Sequence, residues 1–477
     1  MLKHTVNKKK SDNYIYENNI LRYESFINEF TSELFKEFDE KAKKLDLQSR
    51  INDLMNGKVV NRSENQAAWH PKYRKEKVDF INQASEEKDE IFHSFFDSGE
   101  VRDRVNTLVD RIKEKKPEVC KDDITIITIG IGGSFEGPKL LAEAFYPNEV
   151  LCRNLLFVTG SDPGEFSEKI DICNNDSTVF IVSSKSFKTD ETIETLKQAL
   201  EWSGSADNFI AITANPNEAK KYKFKQKNII RIDNEIGGRY SIWSSIGEAS
   251  SFGGIPIEEP DSKFFGSKFD QFILGGYECD KDLVSDKKYF DFIKFLSFSD
   301  VWLNNFKGKN IRTVLSYIWH YRSLPDYIQQ LEMESLGKPA NQNSEFQNTG
   351  QVIFGGYGPT AQHSYFQLLH QGTQDICADI IASQEDKKSL AYAQAITHSK
   401  LLSQGAQDLK DEERINGNTP TNLFLLNKEN SYSLGYLIAT WEHRTFITAV
   451  MLGINPFDQF GVNAGKIYTK KCLNIKD

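Results

Sequence analysis

The run Ile124-Thr125-Ile126-Ile127-Thr128-Ile129 restricts what this chain can fold into more than any other stretch. Its residues are β-branched, which suits a pleated strand and disfavours a helix. It runs into Gly130-Ile131-Gly132-Gly133-Ser134 and then a helical segment from Pro138 to Phe145. Strand, glycine turn and helix in that order open a β–α unit. Further strand-like runs stand at Leu155 to Val158, Val179 to Val182, Phe209 to Thr213 and Ile229 to Ile232, with helical stretches such as Asp190 to Trp202 between most of them. The alternation predicts an open, mostly parallel α/β sheet flanked by helices. Ligands of such sheets sit at the carboxyl ends of strands, so function is expected in the loops that follow them.

The flanks read differently. Residues 15 to about 115 read as helical, with Tyr23, Ile27, Phe30, Leu34 and Phe38 at helical spacing, and Asn61 to Glu64 has N-cap character. From about Lys281 the helical pattern returns, through Phe290 to Lys307 and Thr313 to Leu324. Strand-like Val352 to Phe354 and Leu423 to Leu426 follow, with helices at Ser364 to His370 and Leu390 to Gln404. This reads as a second α/β unit, although no sequence repeat marks a duplication.

A chain of 477 residues is long enough for two or three domains. Its net charge of -9 argues against a general nucleic-acid binder or a protein of anionic membrane surfaces. The longest apolar stretch, near Phe446 to Ile454, is too short to span a bilayer. The basic start, Met1 to Lys10, lacks the apolar core of a secretory signal. The six cysteines (Cys120, Cys152, Cys173, Cys279, Cys377 and Cys472) are scattered. No CxxC or Cys/His cluster has metal-ligand spacing, so free thiols in a reducing cytoplasm are expected and no metal is called for.

Several loops could carry chemistry. The Gly130–Ser134 turn favours anion binding by backbone N–H groups. It is neither a dinucleotide fingerprint, since Phe135 replaces a glycine, nor a P-loop, since Pro138 replaces a lysine. In Ser183 to Thr192, the hydroxyls of Ser184, Ser186 and Thr189, beside Lys185, meet a helix start. That is more than capping requires, and it forms a candidate phosphate cradle. Gly237-Gly238-Arg239 can bring a guanidinium close to a ligand, and His363 opens a helix after a strand. Asn455 to Lys466 is polar and glycine-rich, with Gln459 and Lys466 as possible contacts. Pro325 and Gly337 bracket a short helix on which Gln330 and Glu334 share a face. A solvated face is the plain alternative, and it is the reading given to Glu332. His70, His320, His370 and His443 read as structural.

These stretches, in this order, resemble the glucose-6-phosphate isomerase family. The resemblance runs from about Asn61 to Lys466 and is carried by Gly130 to Ser134, Ser184 to Thr192, Gly237 to Ser244, Gln330 to Lys338, Gln362 to Gly372 and Asp458 to Lys466. It implies two sugar-isomerase (SIS) type α/β domains, over 120–280 and 281–477, the latter ending in a C-terminal helical region, after an N-terminal helical segment over 1–119. It implies interconversion of glucose 6-phosphate and fructose 6-phosphate in glycolysis and gluconeogenesis, with no cofactor, in a cytoplasmic homodimer. By resemblance Glu334 moves a proton between C2 and C1 through a cis-enediol, and Arg239 stabilises the enediolate. His363, oriented by Glu191 and close to Lys466, serves ring opening in the neighbouring subunit's site. Ser184, Lys185, Ser186 and Thr189 hold the phosphate, while Gly133, Ser134, Gln330 and Gln459 position the sugar.

The pattern departs from the family at Gln66, where an arginine is usual, and at Lys188, where a hydroxyl is usual. It also departs around Gly356, before the histidine. Activity on mannose 6-phosphate therefore stays open. A Rossmann-type dehydrogenase conflicts with Phe135, and a non-catalytic sugar-phosphate sensor has no need of Glu334, His363 and Arg239 together.

Overall fold

The computed structural model describes residues 13–86, 100–119, 123–145, 154–249, 267–406 and 408–474. The Met1 to Lys10 terminus, Cys120 and Cys152 lie outside them. The chain opens with an antiparallel hairpin, β1 (Ile15–Glu17) and β2 (Leu21–Ser25), where a helix was expected. Asn18 makes the turn: its Oδ1 accepts from the N–H of Ile20 at 2.9 Å and of Leu21 at 2.8 Å. Burial alternates along β2, and Tyr23 donates its hydroxyl to Asn422 Oδ1 at 2.6 Å. Helical spacing holds only from Ser32, where Thr31 caps the helix Ser32–Lys44. Asn61 and Gln66 likewise form a β-bridge rather than a helix start, and the next helix begins at Pro71.

The first sheet comprises β3 (Thr125–Ile129), β4 (Asn154–Val158), β5 (Thr178–Ser183), β6 (Phe209–Thr213) and β7 (Ile229–Arg231), in the order β4-β3-β5-β6-β7. All its pairings are parallel. Every residue of β3, β5 and β6 is buried, which explains why they read as continuous apolar runs.

The second sheet comprises β8 (Ile311–Ser316), β9 (Val352–Tyr357), β10 (Ile376–Ser383) and β11 (Thr421–Leu426), with the hairpin added at one edge: β1-β2-β11-β10-β8-β9. Its three pairings among β8 to β11 run parallel, while β2 lies antiparallel on β11. The segment expected to be helical from Thr313 to Leu324 is therefore β8 followed by a turn. Residues Arg312 to Ser316 are buried between two neighbouring strands, and burial on both faces erases the alternation that marks a strand. Strand β10 was not anticipated, for the same reason.

The strand order β4-β3-β5-β6 of the first sheet recurs as β9-β8-β10-β11 in the second. Each half thus has one crevice where the connections diverge, between β3 and β5 and between β8 and β10. The loops at the second crevice bond to one another. Glu385 Oε2 accepts from the Glu429 N–H at 2.8 Å, Gln384 donates to Asn427 at 2.8 Å, and His320 meets Glu429.

Helices Lys268–Ser285, Lys287–Phe306 and the almost wholly buried Ser431–Leu452 complete the core. Buried ion pairs tie them to the second sheet. Arg444 donates to Asp300 at 2.6 and 2.8 Å and to Asp379 at 2.7 Å, and Arg312 donates to Asp300 at 2.8 Å. Arg312 also meets Glu332, whose other oxygen accepts from Trp441 Nε1 at 2.9 Å. Glu332 is consequently 3% exposed and is not on a solvated face, as the helix spacing alone suggested. A buried carboxylate requires such partners. Among the described residues no helix is long and apolar enough to cross a membrane.

Candidate active site

The glycine turn after β3 ends in a tight turn over Gly132–Ser134. Gly132 has φ +57°, and a Cβ there would lie 3.0 Å from Gln330 Nε2. A Cβ on Gly133 would stand 1.9 Å from the Gly238 carbonyl oxygen, so only glycine permits this contact. The two glycine turns are thus packed backbone on backbone. Ser241 Oγ bridges them, 2.7 Å from the Gly238 carbonyl and 3.2 Å from that of Gly133.

Arg239, on the second of these turns, is 1% exposed, and its donors are all engaged. Nε donates to Ser335 Oγ at 2.8 Å. Nη2 donates to the carbonyls of Pro456 and Asp458. Nη1 donates to Gln459 Oε1 at 2.9 Å and lies 3.2 Å from Glu334 Oε1. Of the five N–H groups of a guanidinium, only those on Nη1 face the carboxylate.

Glu334 lies in the helix Leu324–Leu336, which has proline in its first turn and Gly337 at its C-cap. Tyr327, Ile328 and Leu331 bury one side of this helix. Gln330 and Glu334 share the other, and Gln330 Nε2 donates to Glu334 Oε2 at 3.2 Å. The Glu334 side chain is 28% exposed, open enough to meet a ligand. Lys338 donates to the Glu334 carbonyl at 2.6 Å and to the Asp458 carbonyl. Burial pushes its ammonium pKa below the usual lysine value.

In the loop after β5, Ser184 Oγ lies 3.3 Å from Thr189 Oγ1 and accepts from the N–H of Phe187, which has φ +52°. Thr189 occupies the N-cap of the helix Asp190–Ser203, but its side chain makes no capping bond. Ser186 is exposed, and its Oγ accepts from the Lys188 N–H. The ammonium pKa of Lys185 is lowered, first by burial and then by Arg239, while Glu64 and Glu235 oppose the shift. Lys188 turns away to pair with Glu218 at 3.3 Å.

Gln459 joins the site through Arg239. Its segment is anchored by Asp458, which accepts from Ser63 at 2.6 Å and from Asn455 at 2.9 Å. Lys466 is exposed on the helix Asn463–Asn474, whose described residues are exposed throughout. One turn further on, Lys470 pairs with Asp190 at 3.2 Å, beside Glu191 at the start of the helix Asp190–Ser203. His363 caps the C-terminal end of the short helix Gly358–Gln362 after edge strand β9 and is exposed. Among the described hydrogen bonds and ion pairs, none joins it to Glu191, Arg239 or Glu334 of the same chain.

One chain therefore gathers Gly133, Gln330, Glu334, Arg239 and Gln459, with Lys185 of the loop after β5 within range of the Arg239 charge, while no described hydrogen bond or ion pair joins His363 to them. Sequence reading missed Ser335, Tyr240, Asp458 and the role of Lys338. Ser335 and Lys338 lay within the stretch already singled out, but nothing in one sequence distinguishes a hydroxyl that grips a remote arginine. Among the described residues no group of three or more His, Cys, Asp or Glu side chains is placed to hold a metal ion.

The family model described as phosphoglucose isomerase matches residues 26–476. The glucose-6-phosphate isomerase of Shewanella amazonensis is 33% identical over 471 residues, spanning 89% of this chain and 82% of the relative. That of Wigglesworthia glossinidia brevipalpis is 31% identical over 497 residues, spanning 94% and 85%. Among solved structures, a glucose-6-phosphate isomerase from Chlamydia trachomatis aligns with a TM-score of 0.76 at 22% identity, over 95% of this chain and 88% of that one. Two sheets that share a parallel four-strand order, with a carboxylate and an arginine at their seam, define an α/β protein of the sugar-isomerase class. The chain belongs to the phosphoglucose isomerase family.

Proposed function

We infer that the protein interconverts glucose 6-phosphate and fructose 6-phosphate by proton transfer between C2 and C1. The Nη1 of Arg239, 3.2 Å from Glu334 Oε1, carries this reading. A carboxylate able to accept and return a proton stands beside a fixed donor for the oxygen that becomes negative. When Glu334 takes the C2 proton it becomes neutral, and the charge moves to the substrate oxygen. Its hold on the Nη1 proton weakens as the enediolate's demand for that proton rises. Nε and Nη2 stay bound to Ser335, Pro456 and Asp458, so the guanidinium does not reorganise. A donor fixed in this way is worth about 3 kcal/mol of barrier. The O2 proton passes to O1 of the cis-enediolate, and Glu334 returns the carbon-bound proton to C1, leaving C2 as the carbonyl.

Ser184, Lys185, Ser186 and Thr189 hold the phosphate, and its remote binding energy orients the reacting carbons. Gly133, Ser134, Gln330 and Gln459 position the sugar. Ring opening needs an acid at the ring oxygen and a base at the anomeric hydroxyl. His363 of a second copy, paired with Glu191, and Lys466 serve that step. A homodimer is supported by the exposure of His363 on the short helix after edge strand β9, where a second copy can reach it. It is also supported by the C-terminal segment, where Phe460, Ile467, Tyr468 and Leu473 are each more than half exposed. The scattered thiols Cys173, Cys279, Cys377 and Cys472 are free, which suits a cytoplasmic protein. We place the first sugar-isomerase domain at 120–280 and the second at 281–477, the latter completed by the N-terminal hairpin.

The test supplies fructose 6-phosphate and follows glucose 6-phosphate through a coupled dehydrogenase. Turnover by the wild-type protein is expected, and its absence would refute the assignment.

A further inference from the structure

We propose that Ser335 is a positioning residue of the isomerase site, gripping Arg239 at Nε so that only Nη1 is presented to the reacting oxygen. The inference rests on the isomerase reading above. Ser335 follows Glu334 directly and is 0% exposed. A buried hydroxyl needs partners, and a serine inside a helix commonly turns back to a carbonyl of its own helix. Here the Oγ instead accepts from Arg239 Nε at 2.8 Å and lies 3.1 Å from the Tyr240 hydroxyl. Burial pushes the Tyr240 phenol up to about 12, so it stays protonated around neutrality and can donate to Ser335. The His70 ring stacks on Tyr240, with centroids 4.5 Å apart and an interplanar angle of 23°, and limits movement of the phenol.

Consecutive residues of one helix thus meet the same guanidinium, Glu334 at Nη1 and Ser335 at Nε. The helix backbone fixes their spacing, so the base and the oxyanion donor share one rigid reference. Loss of the hydroxyl leaves a buried N–H without an acceptor and frees the guanidinium to rotate about its remaining contacts at Nη1 and Nη2. Small misplacements of reacting groups cost rate far more than affinity, because the oxyanion exists only along the reaction.

The experiment compares Ser335→Ala and Ser335→Cys, the second of which is slightly larger than serine and leaves no cavity but offers a poor acceptor. For both, kcat is expected to fall roughly 10- to 100-fold. KM for fructose 6-phosphate and the inhibition constant of inorganic phosphate should stay within about twofold, since the cradle does not depend on Ser335. In an Arg239→Lys background no Nε–H exists, and Ser335→Ala should lower kcat no further. Wild-type kcat in Ser335→Cys would overturn the proposal, as would a full loss that persists beside Arg239→Lys. If Ser335→Ala does not fold, Ser335→Cys alone decides. Wild-type turnover in the same assay separates failure of this inference from failure of the isomerase reading.

Discussion

Arg239 and Glu334 meet across the seam between the two halves of the molecule. The arginine stands on a turn after β7 of the first sheet, and the carboxylate on the helix after β8 of the second, with Nη1 and Oε1 3.2 Å apart. Neither half holds this pair alone, so the helical core that joins them sets its geometry.

Glu334→Gln keeps the size of the side chain and its contact with Gln330 but removes the proton acceptor. We expect kcat to fall by about 10²- to 10⁴-fold, with an unchanged thermal midpoint. Incorporation of solvent deuterium at C2 of the substrate, read by NMR, should be lost in parallel. Retained exchange would move the base to another residue.

The phosphate cradle predicts a different signature. Ser186→Ala should raise KM about tenfold with little change in kcat, because the phosphate is bound equally before and during the reaction. Ser184 and Thr189 hydroxyls are 3.3 Å apart, so their alanine variants should not be additive. Competition by inorganic phosphate checks both statements.

The proposal that His363 serves the neighbouring subunit's site can be checked in mixtures. Glu334→Gln and His363→Ala homodimers should each be nearly inactive. Hybrids formed by dissociating and reassociating the two carry one site with both lesions and one with neither. Activity should therefore recover, towards about a quarter of the wild-type value for random pairing, since half the chains enter hybrids and half of their sites are intact. No recovery in proven hybrids would place His363 in its own subunit's site.

Arg312→Met removes one of two guanidinium groups from a buried cluster that holds Asp300, Glu332 and Asp379. We expect a loss of roughly 3–5 kcal/mol in urea unfolding, since a carboxylate is left uncompensated in the core. An effect below ~1 kcal/mol would show that water reaches the cluster.

His398 lies against Phe366 and Tyr317, and burial lowers its pKa to about 4. The unfolded chain protonates this imidazole near its ordinary value of 6.5, while the folded chain resists until about pH 4. Unfolding thus takes up a proton in that window, and stability is lost as pH falls through it, by about 2–3 kcal/mol. His398→Gln should flatten the unfolding free energy between pH 6.5 and 4 by that amount.

What sequence conveyed depended on burial. The first sheet was legible because the glycines after β3 and the hydroxyls after β5 punctuate its strands. Strand β8 was read as helix because Thr313, Val314 and Leu315 are buried on both faces and show no period. Tyr23 matched a helical stripe with Ile27 and Phe30 by coincidence, and the Asn18 turn placed it in a hairpin. Glu334 was found through its register with Gln330, whereas Glu332 was misjudged because its partners Arg312 and Trp441 are remote in sequence. The meeting of Arg239 with Ser335, 96 positions apart, belongs to tertiary structure alone.

The repeated strand order provides two equivalent seats for an anion, yet their furnishings differ. After β5 stand serine and threonine hydroxyls. After β10 stand Gln384, Glu385 and Asp386, with Glu385 already bonded to the Glu429 backbone. A phosphate approaching the second seat would meet carboxylate charge and donors that are already spent. Under the proposed roles the shared strand order carries a division of labour, with the first half recognising phosphate and the second presenting the base.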